Sequence, residues 1–115
     1  MIEKTVLNQL NAKAAPLKAY MEEPESPLGS YILLEKTGGS QLNQIQNATF
    51  AVQCYGTTLL EAATLADAVN NYMLALPTEV PSISRCFINA GPYNFTDEET
   101  HRYRYQGVYN LVYKE

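Results

Sequence analysis

The pattern of apolar and polar positions predicts two helices. In residues 2–15 apolar side chains recur at the spacing of one helix face, and Pro16 ends the pattern. Residues 58–76 repeat this spacing, and Thr58 followed by Glu61 matches a capping box at a helix start. Small residues dominate the apolar stripe of this second helix: Leu59, Ala62, Ala63, Ala66, Val69, Met73 and Leu76. A helix with such a stripe can approach a sheet closely and leave room for large side chains from its strands.

Five other segments have the composition or the alternation of strands: residues 16–23, 31–36, 48–55, 82–91 and 101–115. The predicted order is therefore helix, three strands, helix, two strands. Successive strands with short connections favour an antiparallel sheet. We expect one domain over residues 1–115: an α+β two-layer sandwich, with a mainly antiparallel sheet of four or five strands and both helices on one face.

Three polar segments connect these elements. Residues 23–30, with two prolines, serines and acids, predict a surface loop, and residues 92–100 predict a turn. Residues 37–47, "TGGSQLNQIQN", are rich in Gly, Gln and Asn and predict a long polar hairpin loop. Loops of this length in small domains are often functional, so its polar residues Gln41, Asn43 and Gln44 are candidate contact residues.

The closing strand alternates tyrosines on one side with basic and polar residues on the other. Tyr103, Tyr105, Tyr109 and Tyr113 share one side, and we expect them to pack as large residues against the small residues of the second helix. Gly107 interrupts this row, and a glycine within a strand often marks a bulge that changes the buried face. The segment after Gly107 is therefore predicted to be core, and the "RYRY" segment before it to be an interface.

Composition and charge narrow the classes of function. Eight basic and twelve acidic residues give a net charge of −4, which disfavours a nucleic-acid binder. The first residues do not resemble a signal peptide, and no apolar run is long enough to span a membrane. We therefore expect a cytosolic protein without nucleic-acid specificity or membrane attachment.

Candidate chemistry is sparse. His101 is the only histidine and follows the acids of residues 97–99, a composition more typical of a solvated turn than of a catalytic or metal site. Cys54 and Cys86 lack the spacing of a zinc site and are predicted to be reduced core residues. The acids Glu22, Glu23 and Glu25 indicate an exposed loop rather than a cation site. We therefore expect no enzyme, no cofactor and no metal.

Arg102 and Arg104 lie on the non-tyrosine side of the closing strand and allow two interpretations. One is a solvent-facing strand surface. The other is a docking face, because arginine is favoured at interfaces and its planar guanidinium pairs with carboxylates. The acids of residues 22–25 and 97–99 would supply complementary charge on another copy of the chain.

The chain also resembles a known family, the minor capsid or tail terminator (tail completion) proteins of long-tailed phages and prophages. The resemblance rests on the element order and on four segments: "YILLEKTGG", "ATFAVQCYG", "TTLLEAATLADAV" and the final "YRYQGVYNLVYKE". It covers essentially the whole chain but contains no catalytic signature.

The resemblance implies a structural virion protein, made in the bacterial cytoplasm and located at the junction of tail and head. Such a protein forms a ring, expected to be a hexamer, that caps the tail tube, ends its polymerisation and faces the head connector. Its expected partners are itself, the tail tube protein and the connector protein. The interface residues predicted for this chain are Arg102, Tyr103, Arg104, Tyr105, Glu22, Glu23, Glu25, Gln41, Asn43 and Gln44. The alternative is a small-molecule-binding or regulatory α+β domain, which uses the same architecture.

Overall fold

The computed structural model describes residues 1–25 and 29–114 and shows an open five-stranded sheet with its helices packed on one face. In chain order the elements are α1 (Ile2–Ala14), β1 (Ala19–Tyr20), β2 (Tyr31–Leu42), β3 (Ile45–Gly56), α2 (Leu59–Leu74), α3 (Leu76–Glu79), β4 (Ile83–Asn94) and β5 (Tyr103–Tyr113). The α+β fold predicted from the sequence is confirmed. Of the loop predicted over residues 23–30, residues 26–28 lie outside the described residues.

The strands are ordered β1-β2-β3-β5-β4 across the sheet. The β2–β3, β3–β5 and β5–β4 pairs are antiparallel, as expected for a mainly antiparallel sheet. The first strand is much shorter than predicted, because only Ala19 and Tyr20 pair with β2, and they pair parallel to it. No helix within the described residues is long and apolar enough to cross a membrane.

The prediction of a long hairpin loop over residues 37–47 is wrong. Both strands continue through this segment, and only Asn43 and Gln44 connect them, with φ of 52° and 68°. Two successive residues with positive φ form the type of turn whose twist matches an antiparallel hairpin. The register of β2 shifts between Lys36 and Gly38, so a bulge lies where the sequence suggested the loop would begin. The segment is therefore an ordered hairpin whose two strands extend almost to its tip.

The helices follow the predicted pattern, with differences at their ends. Ile2, Val6, Leu10 and Ala14 form the buried side of α1. At the start of α2, the Glu61 N–H donates to the Thr58 hydroxyl over 3.1 Å, which confirms the predicted cap. This helix ends at Leu74, two residues earlier than expected.

The sequence predicts that Pro77 ends the helical region, but the structure continues with another helix there. Residues Leu76–Glu79 form the separate short helix α3, in which a proline is tolerated because it occupies the first turn.

The core lies between the helices and one face of the sheet, here called the covered face. Large buried side chains from the strands include Ile32, Leu34, Phe50, Tyr109 and Leu111. They meet small and medium residues of α2, among them Ala62, Ala66, Val69 and Met73. This packing of large strand residues on small helix residues is the one predicted. In the predicted stripe, however, Leu59 is exposed and Ala63 only partly buried, whereas Leu65 is buried.

Gly107 has a different role from the predicted bulge. The β3–β5 register runs without a shift through the pair Val52–Gly107, and the irregular positions of this part of the sheet lie in β4. A Cβ atom on Gly107 would come within 2.7 Å of the Tyr109 hydroxyl oxygen, so the glycine makes room for that ring. The tyrosine row therefore stays on one face, and the prediction that Gly107 splits it is wrong.

Burial along β5 nevertheless follows the predicted division. Tyr109 and Tyr113 are buried in the core, Tyr105 is partly buried against it, and Tyr103 is exposed. The Tyr109 hydroxyl donates to Asn70 Oδ1 over 2.8 Å, which satisfies the one polar atom of this buried ring. The predicted core half of the strand is thus confirmed.

Both cysteines are free thiols, as expected. Cys54 is buried in the core, and Cys86 packs against it with partial exposure. Burial raises the pKa of each thiol to about 12, because the thiolate loses its hydration. Both therefore remain protonated at neutral pH and behave as small apolar residues.

Candidate functional site

The second face of the sheet, here called the open face, is covered by no helix of residues 1–25 and 29–114 and is held together by polar side chains. Neighbouring strands pair through these groups: Gln53 Nε2 donates to Gln106 Oε1 over 2.9 Å, and Gln106 Nε2 donates to the Tyr93 hydroxyl over 2.7 Å. Thr49 donates to Asn110 Oδ1 over 2.8 Å. Directly opposed side chains on adjacent strands are close enough for such contacts. The open face is therefore ordered without a second layer above it.

One end of the open face carries the arginine–aromatic cluster, formed by Glu23, Tyr31, Tyr55, Phe95, Arg102 and Arg104. Its base is a pair of stacked rings, Tyr31 and Tyr55, with centroids 4.5 Å apart and planes inclined by 6°. Each ring is nearly buried, with 5% and 4% of its residue surface exposed. The two residues are directly opposed in the β2–β3 register, and Tyr55 is opposed in turn by Arg104 of β5.

Arg102 lies over the two tyrosine rings. Its guanidinium carbon is 4.9 Å from the Tyr55 centroid and 5.8 Å from that of Tyr31. The same guanidinium forms an ion pair with Glu23 and a hydrogen bond to the Tyr31 hydroxyl, which also donates to Glu23. Arg102 is thus positioned by stacking on one side and by a carboxylate of its own chain on the other.

Arg104 is held by neutral groups. Its Nε donates to the Phe95 carbonyl oxygen over 2.6 Å, and its Nη1 donates to the Tyr55 hydroxyl over 3.0 Å. The guanidinium carbon lies 4.7 Å from the Phe95 ring centroid. The Tyr55 hydroxyl donates onward to Gln53 Oε1 over 3.1 Å, so the cluster continues into the polar pairs of the open face.

The turn between β4 and β5 shapes this end of the sheet. Asp97 and Arg102 form an isolated bridge, and His101 beside them has a φ of 56°. Asp97 accepts the Glu99 N–H over 3.0 Å, and hydrogen bonds from the Thr100 side chain and from Glu99 hold the pKa of Asp97 below its usual value. Asp97 therefore organises this turn, which agrees with the prediction that the acids of residues 97–99 belong to a solvated turn.

The predicted interface residues fall in three places. Arg102, Arg104 and Glu23 come together in the cluster, while Glu22 and Glu25 are exposed beside Glu23. Tyr103 and Tyr105 point to the other side of the sheet from the arginines, because side chains alternate along a strand. The three polar residues of the supposed loop, Gln41, Asn43 and Gln44, lie at the hairpin tip, at the opposite end of β3 from the cluster.

The structure changes the predicted pairing of the arginines with acids. The sequence suggested that Arg102 and Arg104 would meet the acids of residues 22–25 or 97–99 on a neighbouring copy, whereas Glu23 meets Arg102 within one chain. The sequence reasoning also missed Tyr31, Tyr55 and Phe95 as members of the site. For Tyr55 the sequence did contain a signal. In the alternation of β3, Tyr55 shares a side with Gln53, and this side is opposite the apolar side chains that the strand buries in the core.

A second concavity lies on the helix side of the molecule. This α1–α2 groove has a volume of 420 Å³. Apolar side chains form most of its lining: Ala14, Leu17, Leu60, Leu65, Ala68 and Tyr72. Ser30, Glu61 and Thr64 are its polar members. Leu60 is 77% exposed, so the groove offers apolar surface to a partner.

No model of a known protein family matches the chain, and a search of curated proteins finds no significant match. Within residues 1–25 and 29–114, no three His, Cys, Asp or Glu side chains are grouped so that they could hold a metal ion.

Proposed function

We propose that this protein is a structural virion protein that assembles into a ring at the end of a phage tail tube, stops its growth and joins it to the head connector. The arginine–aromatic cluster is the proposed contact surface, and it is the observation that carries the proposal. The resemblance of the sequence to tail terminator proteins supplies the particular role, with the tube protein, the connector protein and other copies as partners at the virion's tail–head junction.

The composition of the cluster supports a role in protein contact. Arginine and aromatic residues are enriched at interfaces, and Arg and Tyr are also enriched among the residues that dominate binding energy. In this cluster Phe95 is 41% exposed, and the Arg102 side chain is 36% exposed, although both rings beneath Arg102 are nearly buried. Side chains that are already stacked and hydrogen-bonded lose little further conformational entropy when a partner covers them.

The two arginines differ in the charge they present. Glu23 balances Arg102 within the chain, so a partner that covers Arg102 meets a nearly neutral pair. The hydrogen bonds of Arg104 are to the neutral oxygens of Phe95 and Tyr55, and its charge contributes only the last of the effects that lower the pKa of the nearby Asp97. We therefore assign to Arg104 the role of meeting an acidic group of a neighbouring subunit.

The test is a charge reversal at Arg104. We expect Arg104→Glu to lower the oligomer mass measured by light scattering and to abolish the capping of tail tubes in electron micrographs. Lys4→Glu is the matched control, because Lys4 is an exposed cation on α1 that is remote from the cluster in sequence and belongs to the helix layer. An Arg104→Glu protein that remains folded and keeps the wild-type mass and capping activity contradicts the proposal.

The α1–α2 groove supports a second candidate function, the binding of an apolar small molecule. Its volume of 420 Å³ and its apolar lining with a few polar groups fit a ligand pocket. A ligand of this site raises the melting temperature of the wild-type protein, and the rise is lost in Ala68→Phe, which fills the groove. If no compound in a metabolite panel raises the melting temperature, this second function is disfavoured.

A further inference from the structure

The tip of the β2–β3 hairpin exposes an apolar pair at its outermost position. Leu42 and Ile45 are directly opposed across the two-residue turn, and they are 72% and 44% exposed. Isolated exposed apolar residues are common, but two that face each other at a hairpin end form one protruding apolar surface. Such a tip can enter a concave apolar site on a partner.

The same chain offers such a site in the α1–α2 groove. Leu60 at the groove is even more exposed than either tip residue, and Ala68 keeps the floor low because its side chain is a single methyl group. The groove is large enough for the two tip side chains, since its 420 Å³ lies within the range of sites that hold drug-sized ligands.

A tip cannot reach the groove of its own chain. Ile45 begins β3 and Gly56 ends it, and α2 starts immediately afterwards with Leu59 and Leu60. The tip and the start of α2 are therefore separated along β3 by about 36 Å at the usual rise per residue. This is most of the 44 Å long dimension of the molecule. The hydrogen-bonded hairpin cannot fold back over that distance, so only another copy can supply the tip.

Charge also favours this pairing. Lys114 borders a depression together with Ile45 at the tip end of the molecule. Glu61 lies beside Leu60 in the groove, and hydrogen bonds from the Thr57 side chain and from the Thr57 N–H, the latter over 2.9 Å, lower the pKa of its carboxyl group. Glu61 is thus ionised at neutral pH, and a docked tip brings a cation towards an anion.

We propose that the hairpin tip of one copy inserts Leu42 and Ile45 into the α1–α2 groove of the next copy, with Lys114 facing Glu61. Tip and groove are different surfaces, so the contact is heterologous and each copy both gives and receives one tip. Such contacts close into a ring when the rotation between copies permits it. The inference rests on the proposed function, because it names one of the contacts that would build the proposed ring.

The test uses two variants that damage opposite sides of the contact. The tip variant is Leu42→Gln with Ile45→Thr, and the groove variant is Leu60→Gln, which changes only an exposed side chain. We expect each to be monomeric by light scattering under conditions in which the wild type is oligomeric. An equimolar mixture should form dimers and nothing larger, because one intact tip and one intact groove remain. Leu74→Gln is the matched control, an exposed leucine of the same helix outside the groove lining.

The outcomes separate this inference from the proposed function. If the wild type forms rings and both variants form the same rings, the tip–groove contact is wrong while the ring proposal stands. If the mixture of variants stays monomeric although each variant is folded, the pairing of these two surfaces is also wrong. If the wild type is monomeric at every concentration and does not cap tail tubes, both the inference and the proposed function fail.

Discussion

The two faces of the sheet show two different ways of holding a strand in place. On the covered face of β3, Phe50, Val52 and Cys54 are each at most 1% exposed and contribute apolar area to the core. On the open face of the same strand, Thr49 and Gln53 bond to the side chains of β5. Burying an apolar side chain stabilises the fold more than forming one of these partly buried hydrogen bonds, because such a bond replaces one with water. The covered face therefore supplies most of the stability.

The difference between the two faces also indicates which face can bind a partner. A polar face held by side-chain pairs remains in contact with water and can exchange its solvent for a partner, whereas the covered face is already sealed by α2. The arginine–aromatic cluster lies where the open face meets the turn between β4 and β5. Mutations on the two faces should therefore separate stability from binding.

The largest loss of stability is expected when a side chain on the covered face is truncated. Phe50→Ala removes a ring that is fully buried between sheet and helix, and we expect the free energy of unfolding to fall by about 3–5 kcal/mol. Thr49→Ala, one residue away on the open face, removes one partly buried hydrogen bond and should cost about 1 kcal/mol. Urea denaturation of both variants measures the difference. Equal losses would show that the faces contribute alike.

The next effect concerns the space that Gly107 leaves for Tyr109. In Gly107→Ala the new methyl group approaches the Tyr109 ring atoms within 2.8 Å, so the ring must move and its hydrogen bond to Asn70 is strained. We expect a loss of about 1–3 kcal/mol, the usual cost of overpacking a core. Gly38→Ala is the control, because its methyl group would lie 3.9 Å from the nearest atoms, on Thr49. If thermal unfolding moves equally in both variants, Gly107 has no special packing role.

The elements that could be predicted from the sequence are those whose pattern reports burial. The apolar spacing of α1, the Thr58 cap and the buried second half of β5 all follow from side chains that face the core. The hairpin tip was missed because residues from Glu35 to Leu42 are exposed on both sides, so no apolar alternation marks them as strand. Its turn uses Asn43 and Gln44 at positive φ without the glycine that usually signals such a turn.

The candidate site could be predicted only in part, for a related reason. The alternation of β5 put Arg102 and Arg104 on the side opposite the core tyrosines. Their partners depend on the register between strands, which a single sequence does not specify: Arg102 and Glu23 are 79 positions apart. Contacts between side chains on three neighbouring strands can be identified only once the register of those strands is known.

The smallest expected effect is a pH dependence of the free energy of unfolding, caused by a thiol buried on the covered face. Burial raises the pKa of the Cys54 thiol to about 12, whereas the thiol of an unfolded chain titrates near its ordinary value. Because the folded pKa is the higher one, this stabilising contribution is complete below the unfolded pKa and is lost as the pH rises towards the folded value. From neutral pH to about pH 9.5, we expect Cys54 alone to lower the free energy of unfolding by about 1 kcal/mol.

Cys54→Ala isolates that contribution. The variant loses a constant amount of stability from the missing sulfur atom at every pH, but its free energy of unfolding should fall by about 1 kcal/mol less than that of the wild type between the two pH values. Cys86 has the same raised pKa and is retained in both proteins, so its effect cancels in the comparison. Urea titrations of both proteins at both pH values give the four free energies. Parallel losses would mean that Cys54 ionises as easily in the folded protein as in the unfolded chain.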